Sequence, residues 1–144
     1  MILTLTVECV SGPTNLDDQC IRMIEINENA CLYDLSQIIL NSVGFEQDHL
    51  FDFYTANSAS PWVQKRWLSE KEEWEEREDD FFQITLRSIY PLDRKILYYI
   101  FDLGDNWTFE IRKGRGIKKP EIDISYPRVV QAVGPNPEQY PEDE

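Results

Sequence analysis

Two short stretches hold most of the residues that could do chemistry. Phe101-Asp102-Leu103-Gly104-Asp105-Asn106-Trp107 sets two carboxylates three residues apart around a glycine, with an indole at its end. Glu110 follows shortly after, and His49 and Asp52 lie together in an earlier aromatic stretch. Gathered at one end of a sheet, these carboxylates and one imidazole could hold a hard or borderline divalent cation, or act as acid and base toward water. A metal-dependent hydrolase or nuclease is the reaction class they would serve. Acyl transfer by a Ser-His-Asp triad is poorly supported: His49 is the single histidine, and no Gly-x-Ser-x-Gly accompanies it.

The same residues have a structural reading, and the strand-turn-strand setting favours it. Asp102 and Asp105 would cap a tight turn, with Gly104 at positive φ and aspartate side chains bonding turn amides. His49 would then pack near a helix exit. Trp107 could stack on a base, sugar or partner proline, but a tryptophan opening a strand is more often core with its N–H satisfied.

Charge narrows the partner classes. The formal net charge is −13, but Glu70 to Asp80 contributes −6 and Glu138 to Glu144 contributes −4, so the remaining body carries only −3. Against that background Arg112, Lys113, Arg115, Lys118 and Lys119 place five of the fourteen bases in eight residues. With Gly114 and Gly116 they could bind phosphate, although a Gly-Arg-Gly run is far short of a P-loop. The net charge disfavours nucleic acid, and solvated strand ends or pairing with the acidic stretch are the expected roles. Trp62, Trp67 and Trp74, in acidic surroundings, read either as partner anchors or as cover for an open sheet face. Cys9, Cys20 and Cys31 form no C-x-x-C or Cys/His cluster, so reduced thiols are expected, with neither metal nor cofactor.

These residues need elements to position them. A chain of 144 residues suits one domain with a real core. Alternating apolar and β-branched residues predict strands over Ile2–Val7 and Ile21–Ile26. The 3-4-3-4 spacing of Leu32, Leu35, Ile38 and Ile39 predicts a helix from about Cys31 to Val43, with Gly44 as its C-cap. Further strands are expected over His49–Tyr54, Ile96–Phe101 and Trp107–Arg112, the last broken by Gly114 and Gly116. Ile84–Ile89 reads as a short helix or turn. Residues 60–80 form an acidic, partly helical excursion, with Ser69 and Glu72 as a capping box and Trp67 and Trp74 on one helical face. From Tyr126 the proline-spaced tail is expected to run extended over the surface. The order gives an α+β fold: one main helix on a mixed, curled β-sheet of ubiquitin-like type. With no leader-like segment and no long apolar run, the expected compartment is the cytoplasm.

Several of these stretches together resemble a known family. Gly44-Phe45-Glu46-Gln47-Asp48-His49-Leu50-Phe51-Asp52-Phe53 and Tyr99-Ile100-Phe101-Asp102-Leu103-Gly104-Asp105-Asn106-Trp107 are similar to the two central motifs of the plasmid pRiA4b ORF-3-like proteins, also described as mobile-element passengers. Tyr126-Pro127-Arg128 resembles a third motif, Tyr140-Pro141-Glu142-Asp143 a weaker one, and Ile21-Arg22 half of another. Phe109 stands where family members commonly carry a histidine, and Val129 and Gln139 where they often carry cysteines. Metal or acid-base chemistry at those positions is correspondingly weakened here. The resemblance implies an α+β fold and no established activity. The functional expectation is a small binding module with an unidentified protein partner, contacting it through the Asp102–Trp107 turn, the His49 region and the C-terminal tail, with His49, Asp52, Asp102, Asp105, Trp107 and Glu110 as candidate residues.

Overall fold

The alternation of Leu3, Leu5, Val7 and Cys9 with Thr4, Thr6 and Glu8 directs one set of side chains into the core and the other away from it. In the computed structural model, which describes residues 1–140, this strand is β1 (Ile2–Ser11). It is followed by β2 (Ile21–Asn27), α1 (Leu32–Val43), β3 (Phe51–Ala56), β4 (Arg66–Trp67), α2 (Trp74–Gln83), α3 (Leu86–Ile89), β5 (Ile96–Phe101), β6 (Trp107–Lys118) and β7 (Arg128–Val133). The seven strands form one sheet in the order β4-β3-β5-β6-β1-β2-β7. Every neighbouring pair is antiparallel, which replaces the expected mixed sheet. The reason lies in the connection through α1. It carries the chain from β2 to β3, which are not neighbours, so no parallel crossover pair arises.

α1 lays Leu32, Leu35, Ile39, Leu40 and Val43 into a core shared with Leu5, Ile24, Phe53, Tyr99 and Phe109. Within that core, the Ser36 and Tyr99 hydroxyls hydrogen-bond at 2.6 Å. The predicted C-cap is present: Gly44 has φ 71°, its N–H donates to the Asn41 carbonyl, and the Phe45 N–H donates to the Leu40 carbonyl. Only glycine enters that left-handed position cheaply. No basic residue occupies the last turn of α1. Instead, the buried Arg22 of β2 donates from Nε to the Ser42 carbonyl at 2.9 Å and places its positive charge against the negative helix end.

Four local expectations are corrected. α1 is joined by a second helix, α2, inside the acidic excursion. Its crowded carboxylates oppose an isolated helix, but Trp74 and Phe81 lie two turns apart and dock on Phe51, at 5.6 and 5.2 Å between ring centroids. Ser69 is not its cap: the Ser69 hydroxyl donates to Asp80 instead, while Trp67 belongs to β4. β6 does not break at Gly114 but continues to Lys118 through a register shift opposite Leu3 and Leu5. The tail does not merely cover the surface, because residues 128–133 hydrogen-bond to β2 as an edge strand. Among the described residues, no helix is long and apolar enough to cross a membrane.

Candidate functional site

The turn between β5 and β6 is built around Asp102. Its φ is 62°, and Asn106 has φ 55°, whereas Gly104 is not at positive φ as the sequence suggested. Aspartate and asparagine tolerate that region because their short polar side chains bond locally. Asp102 Oδ1 accepts the N–H groups of Gly104 at 3.1 Å and Asp105 at 3.4 Å, and the Asn106 N–H donates to the Asp102 carbonyl. One aspartate thus does what two acids and a glycine were expected to share.

The other carboxylate oxygen of Asp102 faces His49, with His49 Nε2 at 3.4 Å. Two further groups meet the same nitrogen: the Tyr140 hydroxyl at 2.9 Å and Asp48 Oδ1 at 3.5 Å. Tyr140 also donates to Asp48, and Gln139 bonds the Glu46 carbonyl and Asp48. The Tyr140 hydrogen bond holds the Asp48 carboxyl below its ordinary range, and the same contact pushes the Tyr140 phenol up to about 12. Gly44 turns the chain out of α1 toward His49, and the tail crosses to meet it, with Asn136 accepting a hydrogen bond from Arg22 at 2.7 Å.

The remaining residues of the expected set lie elsewhere. Asp52, 2% exposed, pairs with Arg77 of α2 at 2.5 Å, and burial pushes its carboxyl up despite that partner. Glu110 accepts from Arg112 at 2.5 Å and from the Tyr98 hydroxyl at 3.3 Å. Asp105 is half-buried and only its backbone N–H joins the turn. Trp107, 1% exposed, packs edge-on against Phe45 at 4.9 Å, in a space kept open because a Cβ on Gly12 would lie 2.6 Å from its ring. Among the described residues its indole N–H has no partner, contrary to the expectation of a satisfied donor. Only His49 and Asp102 therefore come together. Among the described residues, no group of three His, Cys, Asp or Glu side chains is placed to hold a metal ion.

The basic run divides as well. Arg112 is paired with Glu110, Lys118 and Arg128 both hold Glu25, and Lys113 donates to the Gly114 carbonyl. The expected pairing with the acidic stretch is thus replaced by pairing within β6, for Arg112, and across the sheet, for Lys118. Arg112, Lys113 and Arg115 nevertheless join Lys95 around an open cavity of about 440 Å³. Lys119 does not line it. The cysteines are free, and burial pushes the Cys9 thiol up to about 12.

A second cavity, of about 410 Å³, opens beside His49 between α1, the turn before β3, and α2. Its walls include Tyr33, Gln37, Phe51, Trp74 and Glu78, none of which the sequence marked as a site beyond Trp74 as a possible anchor. The signal that could have found them is the i, i+4 placement of Trp74 and Glu78 on one helical face.

Comparison with known proteins agrees with this architecture. No curated protein matches the chain. A solved structure, the protein of unknown function MM3350 from Methanosarcina mazei Go1, is similar with a TM-score of 0.62 at 21% identity, over 91% of this chain and 68% of that one. At that identity the likeness is one of fold. The sequence model of the plasmid pRiA4b ORF-3-like protein family matches residues 13–143, and it names no activity. By that match, together with the two motifs that meet at His49 and Asp102, the chain belongs to the plasmid pRiA4b ORF-3-like family.

Proposed function

We propose that this protein is a non-catalytic binding module whose contact surface is the cavity beside His49 and its rim. The observation that carries the reading is the cavity itself. Three chain segments distant in sequence supply aromatic and aliphatic side chains together with a comparable share of polar ones, a concave mixture suited to recognition. The groups around His49 suit recognition better than reaction. Asp102 is committed to turn amides, and Asp48 and Tyr140 to each other. The metal-dependent hydrolase reading loses its ligand set, because Asp52 and Glu110 are each held by an arginine away from His49. An intracellular protein partner, with the cytoplasm as its compartment, completes the reading.

Capture from a cell extract tests it. Immobilised wild-type protein is compared with a Gln37→Trp variant, whose larger side chain fills the cavity from the exposed flank of α1, and folding of both is checked by circular dichroism. Loss of a captured species in the filled variant is expected. Retention of every captured species would remove the cavity from the reading.

A second reading, of a nucleic-acid accessory protein, has one observation in its favour: the charged groups around the other cavity, Lys95, Arg112, Lys113 and Arg115, are all basic. It predicts retention on DNA or RNA that falls steeply with added salt. Absence of retention even at low salt would eliminate it.

A further inference from the structure

The cavity beside His49 has a definite electrostatic sign. Its formally charged lining residues are Asp48 and Glu78, with no lysine or arginine among its walls. Glu78 forms no ion pair among the described residues, because its neighbour Arg77 turns away to Asp52. Aromatic rings complete the enclosure: Trp74 stands edge-on to Phe51 at 5.6 Å, and Tyr33 lies on the same side of α1. The Gln37 and Gln47 amides add neutral hydrogen-bonding groups. Aromatic faces beside the unpaired Glu78 carboxylate favour an organic cation. Among such cations a guanidinium fits best, since its flat face stacks on an indole while its N–H fork reaches a carboxylate. The surroundings reinforce the choice, for Glu70 to Asp80 carries eight acids and two bases, a field that draws cations toward α2.

The mouth indicates how that cation is presented. Leu50 and Phe82 are exposed apolar side chains beside the opening, 41% and 50% accessible, and Phe82 stacks on Tyr33 at 4.2 Å. A free small cation would leave both uncovered, whereas a polypeptide carrying it would cover them. We infer that the cavity receives an arginine side chain from a partner polypeptide, with Glu78 as its counter-charge and Trp74 as its stacking surface. This rests on the binding-module reading and specifies its ligand.

The test is amide-resolved NMR titration of the full chain with a capped pentapeptide, Gly-Leu-Arg-Leu-Gly, and with the same peptide carrying citrulline, the neutral isostere, in place of arginine. The arginine peptide is expected to move resonances of residues 33–51 and 74–82 saturably. The citrulline peptide should bind about tenfold more weakly, and Glu78→Gln should weaken the arginine peptide about tenfold as well. Equal binding of the two peptides would overturn the choice of a cation while leaving the cavity a binding site. Agmatine binding as tightly as the arginine peptide would overturn the polypeptide source. No perturbation by any probe would overturn the inference outright, and the capture experiment with Gln37→Trp would still judge the broader reading separately.

Discussion

The two cavities are nearly equal in size, about 410 and 440 Å³, and opposite in charge, yet they are constructed differently. The basic one draws three of its four bases from a single stretch of β6, and Arg112 is already neutralised by Glu110. The acidic one is assembled from α1, the turn after it and α2, and among the described residues Glu78 makes no ion pair. A run of like charges in sequence is therefore a poor guide to where free charge ends up. On β6, Arg112 meets Glu110 two residues along the same face and Lys118 meets Glu25 across the sheet, whereas a helix docked by two aromatic side chains holds its carboxylates out on one side.

The largest test of this contrast is Phe81→Ala. Phe81 is fully buried against Phe51 and Phe53, so truncation should cost about 3–5 kcal/mol in urea denaturation. It should also release α2, removing the acidic cavity while the amide resonances around Arg112 stay in place. Arg77→Ala comes next. It strands the buried Asp52 carboxylate and should cost roughly 2 kcal/mol. Arg112→Ala, which opens a more exposed pair, should stay within about 0.5 kcal/mol. Equal costs would erase the distinction between the two regions.

Acid sharpens the comparison on the sheet side. The Lys118 hydrogen bond, joined by Arg128 and opposed by burial, holds the Glu25 carboxyl below its ordinary value of 4.5. The unfolded chain then takes up that proton first as pH falls. The stabilisation is complete above 4.5 and is lost as pH drops through the lower native value. Glu25→Gln should flatten stability in that window, as followed by denaturation midpoints at stepped pH. The smallest expected effect is at the rim. Tyr140→Phe removes the hydrogen bond that depresses Asp48, so the Asp48 carboxyl should titrate closer to its ordinary range by NMR, with little change in global stability.

How much of this was legible in the sequence depends on how far apart the cooperating residues lie. α1 and its Gly44 cap could be read because spacing and cap are local, and β1 and β2 because alternation is local. α2 was obscured: repulsion among its acids is visible in sequence, while the pull of Phe51 on Trp74 and Phe81 is a tertiary term. β7 was hidden by the prolines around it, although Val129, Val130 and Val133 carry a strand signal. At the site, the Asp102 turn was recognisable, but its positive φ fell on aspartate and asparagine, not on glycine. The meeting of His49 with Tyr140 spans 91 residues and leaves no local trace.

The sheet order has a consequence for how the chain acquires its structure. β1 and β6 are central neighbours, yet Ile2 faces Lys118 across more than one hundred residues. On either side of that seam are pairs close in sequence: β1 with β2, and β5 with β6. Each half can begin to order by itself, but joining them requires a long loop to close before the contacts repay it. The middle of the finished sheet is thus its kinetically late part, and a destabilised seam would expose two unpaired strand edges to neighbouring chains.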